Sequence, residues 1–364
     1  MNLDKEINSR LKNIVFIQLK KDINLESIKL DKEIPLPLIL NKLIDDIKEE
    51  DLKNKLEINR INEGIIYLLG IDKQFKYKDQ YIQIVKATVK NIDLYIDYLS
   101  TKADDPINSY IYINSYNNFM DENEDFEFKK YNILETIYNK IYTDISEDEQ
   151  KSFLNMIIKG YESIIKTDPD YILVNYRLGY IFRLMNRYLK SKLYFEKFLN
   201  LSSGKYIELE DEVRDNLKEL EDYVNIEAAS SYLTYGKYES AYKSLKSISS
   251  LYPLKDQVHY LKSIAEEKLG LLESALISID KSLSINKNEE NYYNQKALCY
   301  LELKENNKAI ETYKEGLEIL KESYLLNTNL GILLYNEGNF EYKKYLEKSY
   351  KIKADENILN ILKK

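Results

Sequence analysis

Several residue types are scarce in this 364-residue chain, and each scarcity excludes a class of protein. One cysteine, Cys299, leaves no internal disulfide and agrees with a reducing compartment. The N-terminus carries charged residues before any apolar run, unlike a secretory signal. The longest uncharged apolar runs, such as residues 65–71, are far shorter than the roughly 20 residues that span a bilayer. We therefore expect a cytoplasmic protein without membrane spans.

Basic charge is also too sparse to favour nucleic acid as a partner. The chain has 53 Lys and Arg against 61 Asp and Glu, which gives a net charge of −8. The charges of both signs are interspersed, so no basic stripe is available to neutralise phosphates. We predict that the chain does not bind nucleic acid.

Groups for catalysis are equally few. The single histidine, His259, is predicted on a helix without a partner for acid–base work, and Cys299 lies between apolar neighbours, as a buried small residue would. No phosphate loop, dinucleotide-binding motif or zinc-protease motif occurs. The acidic residues of 208–222 alternate with apolar positions, which is typical of a solvated helix face, and 121–125 lacks the glycine of a calcium loop. We predict no enzyme activity, no catalytic residue, no metal and no cofactor.

Tyrosine, by contrast, is abundant, with 34 Tyr beside 10 Phe and no Trp, whereas glycine and proline together number 15. Few helix breakers and many large rings are typical of long helices joined by short turns. The composition therefore favours an all-α protein.

Small residues recur every 34 positions in the second half of the chain. One series is Ala241, Ala275 and Ala309, and another is Ala229, Ser263, Ala297 and Gly331. A third series, Gly236, Gly270, Lys304 and Gly338, falls where a helix should end. Three series in phase predict a repeated helix hairpin in which small residues allow close helix packing.

The aromatic and small positions around Ala309, with Tyr293, Ala297, Tyr300 and Tyr313, resemble the tetratricopeptide repeat. The resemblance is to bacterial members of the family, and it implies an α-α superhelix. The frame predicts repeats over 172–205, 222–255, 256–289, 290–323 and 324–357, which together form a repeat domain at 172–357. A helical insert at 206–221 is expected to lengthen the next helix by four turns, and 355–364 is expected to form a capping helix.

The first half of the chain shows weaker patterns. Residues 91–171 are predicted to form two degenerate helix pairs, 91–120 and 126–171, separated by an acidic loop at 121–125. Residues 1–90 are predicted to be an irregular helical cap, with helices near 3–20, 37–49, 54–70 and 78–90. In the segment 21–35 apolar and polar residues alternate weakly, a pattern that is compatible with extended chain.

In this family the first helix of each hairpin, helix A, lines the concave wall at positions 2, 5, 9 and 12 of the repeat. On this sequence the resemblance places partner-binding residues at Tyr176, Tyr180, Arg183, Tyr223, Tyr260, Asn291, Asn294, Thr328 and Tyr335. The same positions hold Ile226, Ser230, Gln257, Ile264, Leu298, Leu301 and Ile332. Tyrosine supplies contact area and a hydroxyl, and asparagine pairs with peptide backbone. The alternative is that these rings only pack between repeats.

Two functions remain open from the sequence. The first is a non-enzymatic scaffold or adaptor that binds a peptide or a helix of a protein partner in the concave groove. The second is a regulatory receptor, similar to bacterial repeat proteins that bind signalling peptides or response regulators. The lysine and asparagine cluster with which some family members hold a carboxylate tail does not recur here, so an adaptor for chaperone tails is disfavoured.

Overall fold

The computed structural model describes residues 3–25, 28–43, 58–250 and 252–363. By contact density the chain divides into two compact units, 1–181 and 182–364. Over the described residues the architecture is helical, apart from four short strands near the N-terminus. The all-α fold class is therefore confirmed, while the domain boundaries drawn from the sequence stay predictions.

The first unit begins with a short helix and two small antiparallel strand pairs. Its elements before residue 90 are α1 (Leu3–Ser9), β1 (Ile14–Ile17), β2 (Ile23–Asn24), β3 (Lys29–Leu30), β4 (Leu36–Ile39), α2 (Ile58–Ile71) and α3 (Lys78–Thr88). Strand β1 pairs with β4, with Ile14 opposite Ile39, and β2 pairs with β3. The option of extended chain within 21–35 is confirmed.

Two of the N-terminal helix predictions are wrong. The helix expected near 3–20 ends at Ser9, a 3-10 turn follows, and Ile14–Ile17 is a strand. The reason is that β-branched and aromatic side chains favour a paired, half-buried strand once a partner strand is present. The helix expected near 37–49 is wrong only at its start: the chain is a strand through Ile39 and helical over residues 40–43. Residues 44–49 lie outside the described residues, as do 54–57 of the third expected helix. The helices expected near 54–70 and 78–90 are confirmed where described.

Helix α2 is the centre of the first unit because it is buried on nearly every side. Ile65, Ile66 and Leu69 have no exposed surface, which accounts for the long apolar run in the sequence. Gly64 allows the backbone of β4 to approach, since a Cβ there would lie 2.1 Å from the carbonyl oxygen of Pro37. Strand pairing thus depends on a glycine in the helix that covers it.

The rest of the first unit consists of helix pairs at the positions expected from the sequence. They are α4 (Ile92–Thr101) with α5 (Pro106–Asn114), and α6 (Glu124–Ile141) with α7 (Glu147–Thr167). Helix α6 begins inside the acidic segment, and the side chain of Asn123 caps its first turn. Ser146 and Glu149 form a capping box at the start of α7.

Helix α8 (Ile172–Leu184) contains the boundary between the two units, and ten further helices follow it in the described part of the chain. They are α9 (Tyr188–Ser202), α10 (Ile207–Thr234), α11 (Tyr238–Lys246), α12 (Lys255–Lys268), α13 (Leu272–Ile285), α14 (Glu290–Glu302), α15 (Asn306–Ile319), α16 (Tyr324–Asn336) and α17 (Tyr342–Ile352), with α18 (Glu356–Leu362) at the end. The insert lengthens α10 to 28 residues, as expected. Within the second unit α10, α12, α14 and α16 are the A helices, and α11, α13, α15 and α17 are the B helices.

The 34-residue series have the structural roles expected of them. Ala229, Ser263 and Ala297 are fully buried on the A helices, and so are Ala241, Ala275 and Ala309 on the B helices. The turns between the two helices of a pair use a left-handed residue, with φ of +69° at Gly236, +76° at Gly270 and +69° at Gly338. Lys304 takes the same conformation, with φ of +61°, although it has a side chain. The repeat is therefore defined by backbone conformation as well as by packing.

Candidate functional site

The A helices form the inner side of the second unit. Each contacts the next A helix, α10 with α12, α12 with α14 and α14 with α16, in addition to its own B helix. Contacts between successive B helices are fewer in the described part of the unit. A stack whose A helices are closer together than its B helices curves toward the A side, so these helices line a concave face.

A row of apolar side chains lies along this concave face. Ile264, Leu298 and Ile332 occupy the same place on α12, α14 and α16, and we call them the A-helix stripe. Leu298 is 38% exposed and Ile332 is 37% exposed, although their chain neighbours Ala297, Cys299, Gly331 and Leu333 are buried. Large apolar side chains left exposed at regular spacing favour contact with another molecule.

The amide and hydroxyl groups predicted for the groove mostly have partners inside the protein. The side chain of Asn294 accepts hydrogen bonds from Asn329 (2.6 Å) and from the hydroxyl of Tyr313 (3.1 Å). Thr328 donates to the carbonyl of Tyr324 (2.7 Å), and its hydroxyl oxygen lies 2.5 Å from that of Ser349. These two residues therefore join helices within the stack.

Asn291 differs from them because its side chain is exposed at the start of α14. Its amide nitrogen donates to Glu289 at 2.9 Å. The amide oxygen of Asn291 is left for other donors. Its side chain is therefore open to a ligand.

The tyrosines predicted for the concave wall of the second unit are half-buried against other tyrosines. Tyr223 packs between Tyr188 and Tyr252, with ring centroids 4.9 and 5.2 Å apart. Tyr260 packs on Tyr292, with centroids 5.0 Å apart, and burial raises its pKa. The aromatic series thus has a packing role between helices as well as an exposed edge.

Tyr335 shows the same arrangement at the last repeat. Its ring meets that of Tyr342 edge to face, with centroids 5.1 Å apart. Because Tyr342 is buried on α17, this contact holds the A and B helices of the repeat together.

The three remaining predicted residues lie on α8. Tyr176 and Tyr180 belong to the first unit, and their rings form an edge-to-face pair with centroids 5.0 Å apart. Arg183 belongs to the second unit and pairs with Glu219 on α10 at 2.8 Å. The long α10 thus provides the partner that this arginine needs.

Two carboxyl groups beside the A-helix stripe were not found from the sequence. Glu302, one turn after Leu298, forms a hydrogen bond with Glu267, and this bond raises the pKa of Glu302. Glu267 is buried and accepts hydrogen bonds from Lys268 (2.9 Å) and Gln295 (3.3 Å). The pair joins α12 to α14, and no pattern in the sequence distinguishes it from the many other exposed acids.

Burial shifts the pKa values of Cys299 and His259, the two residues considered for catalysis. Burial raises the pKa of the Cys299 thiol to about 11, so the thiolate needed for nucleophilic attack is disfavoured. Burial, assisted by nearby lysines, lowers the pKa of His259. Within the described ranges no group of three or more His, Cys, Asp or Glu could hold a metal ion. A search of the same ranges for a helix long and apolar enough to cross a membrane finds none.

Comparison with protein families identifies the repeat. Residues 173–204 and 290–319 match the family model described as tetratricopeptide repeat. These segments cover α8 with α9 and α14 with α15, which are two of the helix pairs expected from the 34-residue series. No curated protein matches the sequence as a relative.

Several solved structures are similar to part of the chain. A crystal structure of MamA protein has 18% sequence identity and a TM-score of 0.36, and the match covers 50% of this chain and 91% of that one. YrrB, described as "a TPR protein with an unusual peptide-binding site", has 14% identity and a TM-score of 0.36 over 56% of this chain and 97% of that one. MamA from Desulfovibrio magneticus RS-1 has 12% identity and a TM-score of 0.34 over 52% and 95%. Likenesses of this size transfer no ligand to this chain.

Proposed function

From the premise that this is a tetratricopeptide repeat protein, and so a scaffold for protein–protein interaction, we propose that its concave face binds an extended peptide or a helix of a protein partner. The A-helix stripe carries the proposal. Ile264, Leu298 and Ile332 repeat at one place on three consecutive helices, and two of them expose more than a third of their surface. A bound segment would place apolar side chains against this row.

The predicted wall positions next to the stripe are uncharged, and the carboxyl groups of Glu267 and Glu302 lie one turn beyond them. The wall positions beside it hold Tyr260, Asn294 and Thr328, and Asn291 leaves an amide oxygen open to a peptide N–H. Binding that depends on apolar burial and neutral hydrogen bonds changes little with ionic strength. We therefore propose that the partner segment is apolar.

We also propose that the protein acts without catalysis. Burial raises the pKa of the Cys299 thiol and lowers the pKa of the His259 imidazole, so the thiolate and the imidazolium are both disfavoured. The role of the chain would be to hold a partner, which agrees with a surface built by repetition.

A display selection of random peptides on the purified full chain tests the proposal. The best peptide is then titrated by fluorescence anisotropy against the unaltered protein, Leu298→Asp and Ile332→Asp. Ile277→Asp is the matched control, because Ile277 is an exposed isoleucine on the B helix α13. The proposal predicts that each stripe variant weakens binding by about tenfold or more, which is 1.4 kcal/mol, and that the control does not.

Thermal melts by circular dichroism show whether the variants fold, and Leu298→Ser provides a milder change. Equal binding by the unaltered protein and both stripe variants would contradict the proposal. So would an equal loss in all three variants, or a selection that yields no peptide.

A further inference from the structure

A second exposed apolar row lies away from the concave face, where the B helices end. Ile285, Ile319 and Ile352 are the last residues of α13, α15 and α17. Their exposed fractions are 53%, 45% and 38%. Three consecutive repeats therefore present an isoleucine at the same edge of the stack.

Two clefts open beside these isoleucines. The first has a volume of about 530 Å³ and lies between the loops at 288–290 and 319–323. The second has a volume of about 600 Å³ and lies between Glu322 and one face of α17, with Ile352 at its end. Glu322 lines both clefts, so they are adjacent, and we call them together the edge groove.

The α17 side of the edge groove is basic, in a chain whose net charge is −8. Lys344, Lys348 and Lys351 line it at positions i, i+4 and i+7 of the helix, so they share one face. Lys348 pairs with Glu322 at 3.0 Å. In the described part of the chain, Lys344 and Lys351 form no ion pair with a carboxylate.

The two unpaired lysines differ in what stabilises them. Lys351 lies in the last turn of α17, where the helix dipole favours a cation. Lys344 lies in the first turn, where the dipole disfavours a cation, and that turn contains no acidic residue. Its ammonium group has the ring of Tyr345 beneath it at 5.3 Å. An anionic group from outside would therefore be most stabilising beside Lys344.

We infer that the edge groove binds an acidic segment of a protein partner, with carboxylates at Lys344 and Lys351 and apolar side chains on Ile319 and Ile352. The charge of the α17 face selects the acidic partner. Glu322 and Glu347 line the same cleft, so a partner whose carboxylates are spaced to meet Lys344 and Lys351 fits it better than the closely spaced phosphates of a nucleic acid or an anionic membrane. This surface is separate from the A-helix stripe, so it gives the chain a second binding face.

Short fluorescent peptides test the inference on the full chain by anisotropy at moderate salt. The probe is a peptide of glutamate and leucine, and its two matched peptides replace glutamate by glutamine or leucine by serine. The inference predicts that the glutamate and leucine peptide binds at least about tenfold more tightly than either. It also predicts that the double variant Lys344→Glu, Lys351→Glu loses at least about tenfold in affinity for it.

The matched control is the double variant Lys243→Glu, Lys246→Glu, which changes two exposed lysines in the last turn of α11 and should bind as the unaltered chain does. If the charge-reversal variant has a lower melting temperature, the double variant Lys344→Gln, Lys351→Gln is used in its place. This variant should still bind the peptide more weakly than the unaltered chain. Ile319→Ser should weaken binding as well. Stripe variants such as Leu298→Asp should leave it unchanged, which separates this surface from the concave face.

Three results would overturn the inference. The first is that the acidic peptide does not bind at a protein concentration of about 1 mM, which corresponds to the weakest dissociation constant of interest. The second is an affinity for the peptide that neither double lysine variant, to glutamate or to glutamine, changes. The third is competition by duplex DNA or phosphatidylserine vesicles as effective as that by unlabelled peptide, which would show attraction of any anion.

Discussion

The carboxylate of Asp256, at the start of α12, accepts a hydrogen bond from the hydroxyl of Tyr292, at the start of α14, with the oxygens 3.0 Å apart. The same carboxylate accepts from the amide of Asn286 at 3.2 Å. The bond joins the A helices of two consecutive repeats. Burial raises the pKa of Tyr292 most, and the hydrogen bond to Asp256 raises it further.

The relationship recurs along the stack at the repeat spacing. Asp222, 34 residues earlier, accepts from the backbone N–H of Ser249 at 2.9 Å. Glu290, 34 residues later, accepts from the hydroxyl of Ser323 at 2.5 Å. At the next step the direction reverses, and Tyr324 donates to Asp355 at 3.1 Å. At Asp256 and Glu290, an acidic residue at the start of one A helix thus holds the start of the next A helix.

We predict that Tyr292→Phe lowers the free energy of unfolding by about 1 kcal/mol, the net contribution of one hydrogen bond. Asp256→Ala should cost more, because it leaves the groups of Tyr292 and Asn286 without their acceptor. Urea denaturation of the two single variants and the double variant measures the coupling. Tyr235→Phe is the control, since that ring is largely exposed and should change nothing. Strictly additive losses would show that the two residues do not interact.

Lys304→Gly should stabilise the protein. Lys304 has φ of +61° at the turn where the other repeats of the series have glycine, and a left-handed conformation costs a side-chain-bearing residue about 1 kcal/mol. Part of that gain is lost to the greater freedom of glycine in the unfolded chain, so we expect a net gain of roughly 0.5 kcal/mol. Thermal melts detect it, and Leu303→Gly, at a helical neighbour, should destabilise instead. A lower melting temperature for Lys304→Gly would contradict the account of the turn.

Arg177→Met should strongly destabilise the first unit. The guanidinium donates two hydrogen bonds to buried Glu135, at 3.0 and 2.5 Å, and the hydroxyl of Tyr161 donates to the same carboxylate at 2.5 Å. Removing the cation leaves a buried carboxylate without its counter-charge, which costs about 3–5 kcal/mol. Tyr161→Phe should cost about 1 kcal/mol, the value of one hydrogen bond. Chemical denaturation compares them, and a smaller loss for Arg177→Met than for Tyr161→Phe would refute the assignment.

The carboxyl pair on the A helices predicts a dependence of stability on pH. Because the hydrogen bond to Glu267 raises the pKa of Glu302, the folded state holds its proton more tightly than the unfolded state does. This contribution is fully present below the ordinary glutamate pKa of 4.5 and is lost as pH rises through the raised value. The free energy of unfolding should therefore fall over that interval.

Glu302→Gln tests this directly, because an amide can donate to Glu267 at every pH. We expect the variant to be more stable than the unaltered protein at pH 8, by less than about 1 kcal/mol because the site is exposed. The difference should shrink by pH 4, and thermal melts at both pH values measure it. Glu318→Gln, at an exposed acid on α15, is the control and should show no such trend.

The regular part of the fold could be predicted because each repeat uses the same local rules. Residue size alone indicates the close helix contacts at Ala241, Ala275 and Ala309. Glycine indicates the turns at Gly236 and Gly338. The strands at 14–17 and 36–39 could not be predicted, because a four-residue apolar run is compatible with either helix or strand until its partner is known.

The site was predictable only in outline. Repeat position placed Leu298 and Ile332 among the predicted wall residues, but it gave them no more weight than Asn294 or Thr328. The hydrogen bonds that tie Asn294 and Thr328 to other helices involve residues 19 to 35 positions away, so a local sequence pattern does not show them. Contacts across repeats therefore decide which wall residues remain open to a ligand.

Photo-cross-linking from the A-helix stripe tests the central proposal most directly. A photoreactive benzoyl-phenylalanine is placed at position 298 in one protein and at position 277, on a B helix, in another, and each is irradiated with the selected peptide. The account predicts a covalent adduct from position 298 and none from position 277. An adduct from position 277 alone, or equal yields from both, would contradict the assignment of the concave face as the binding surface.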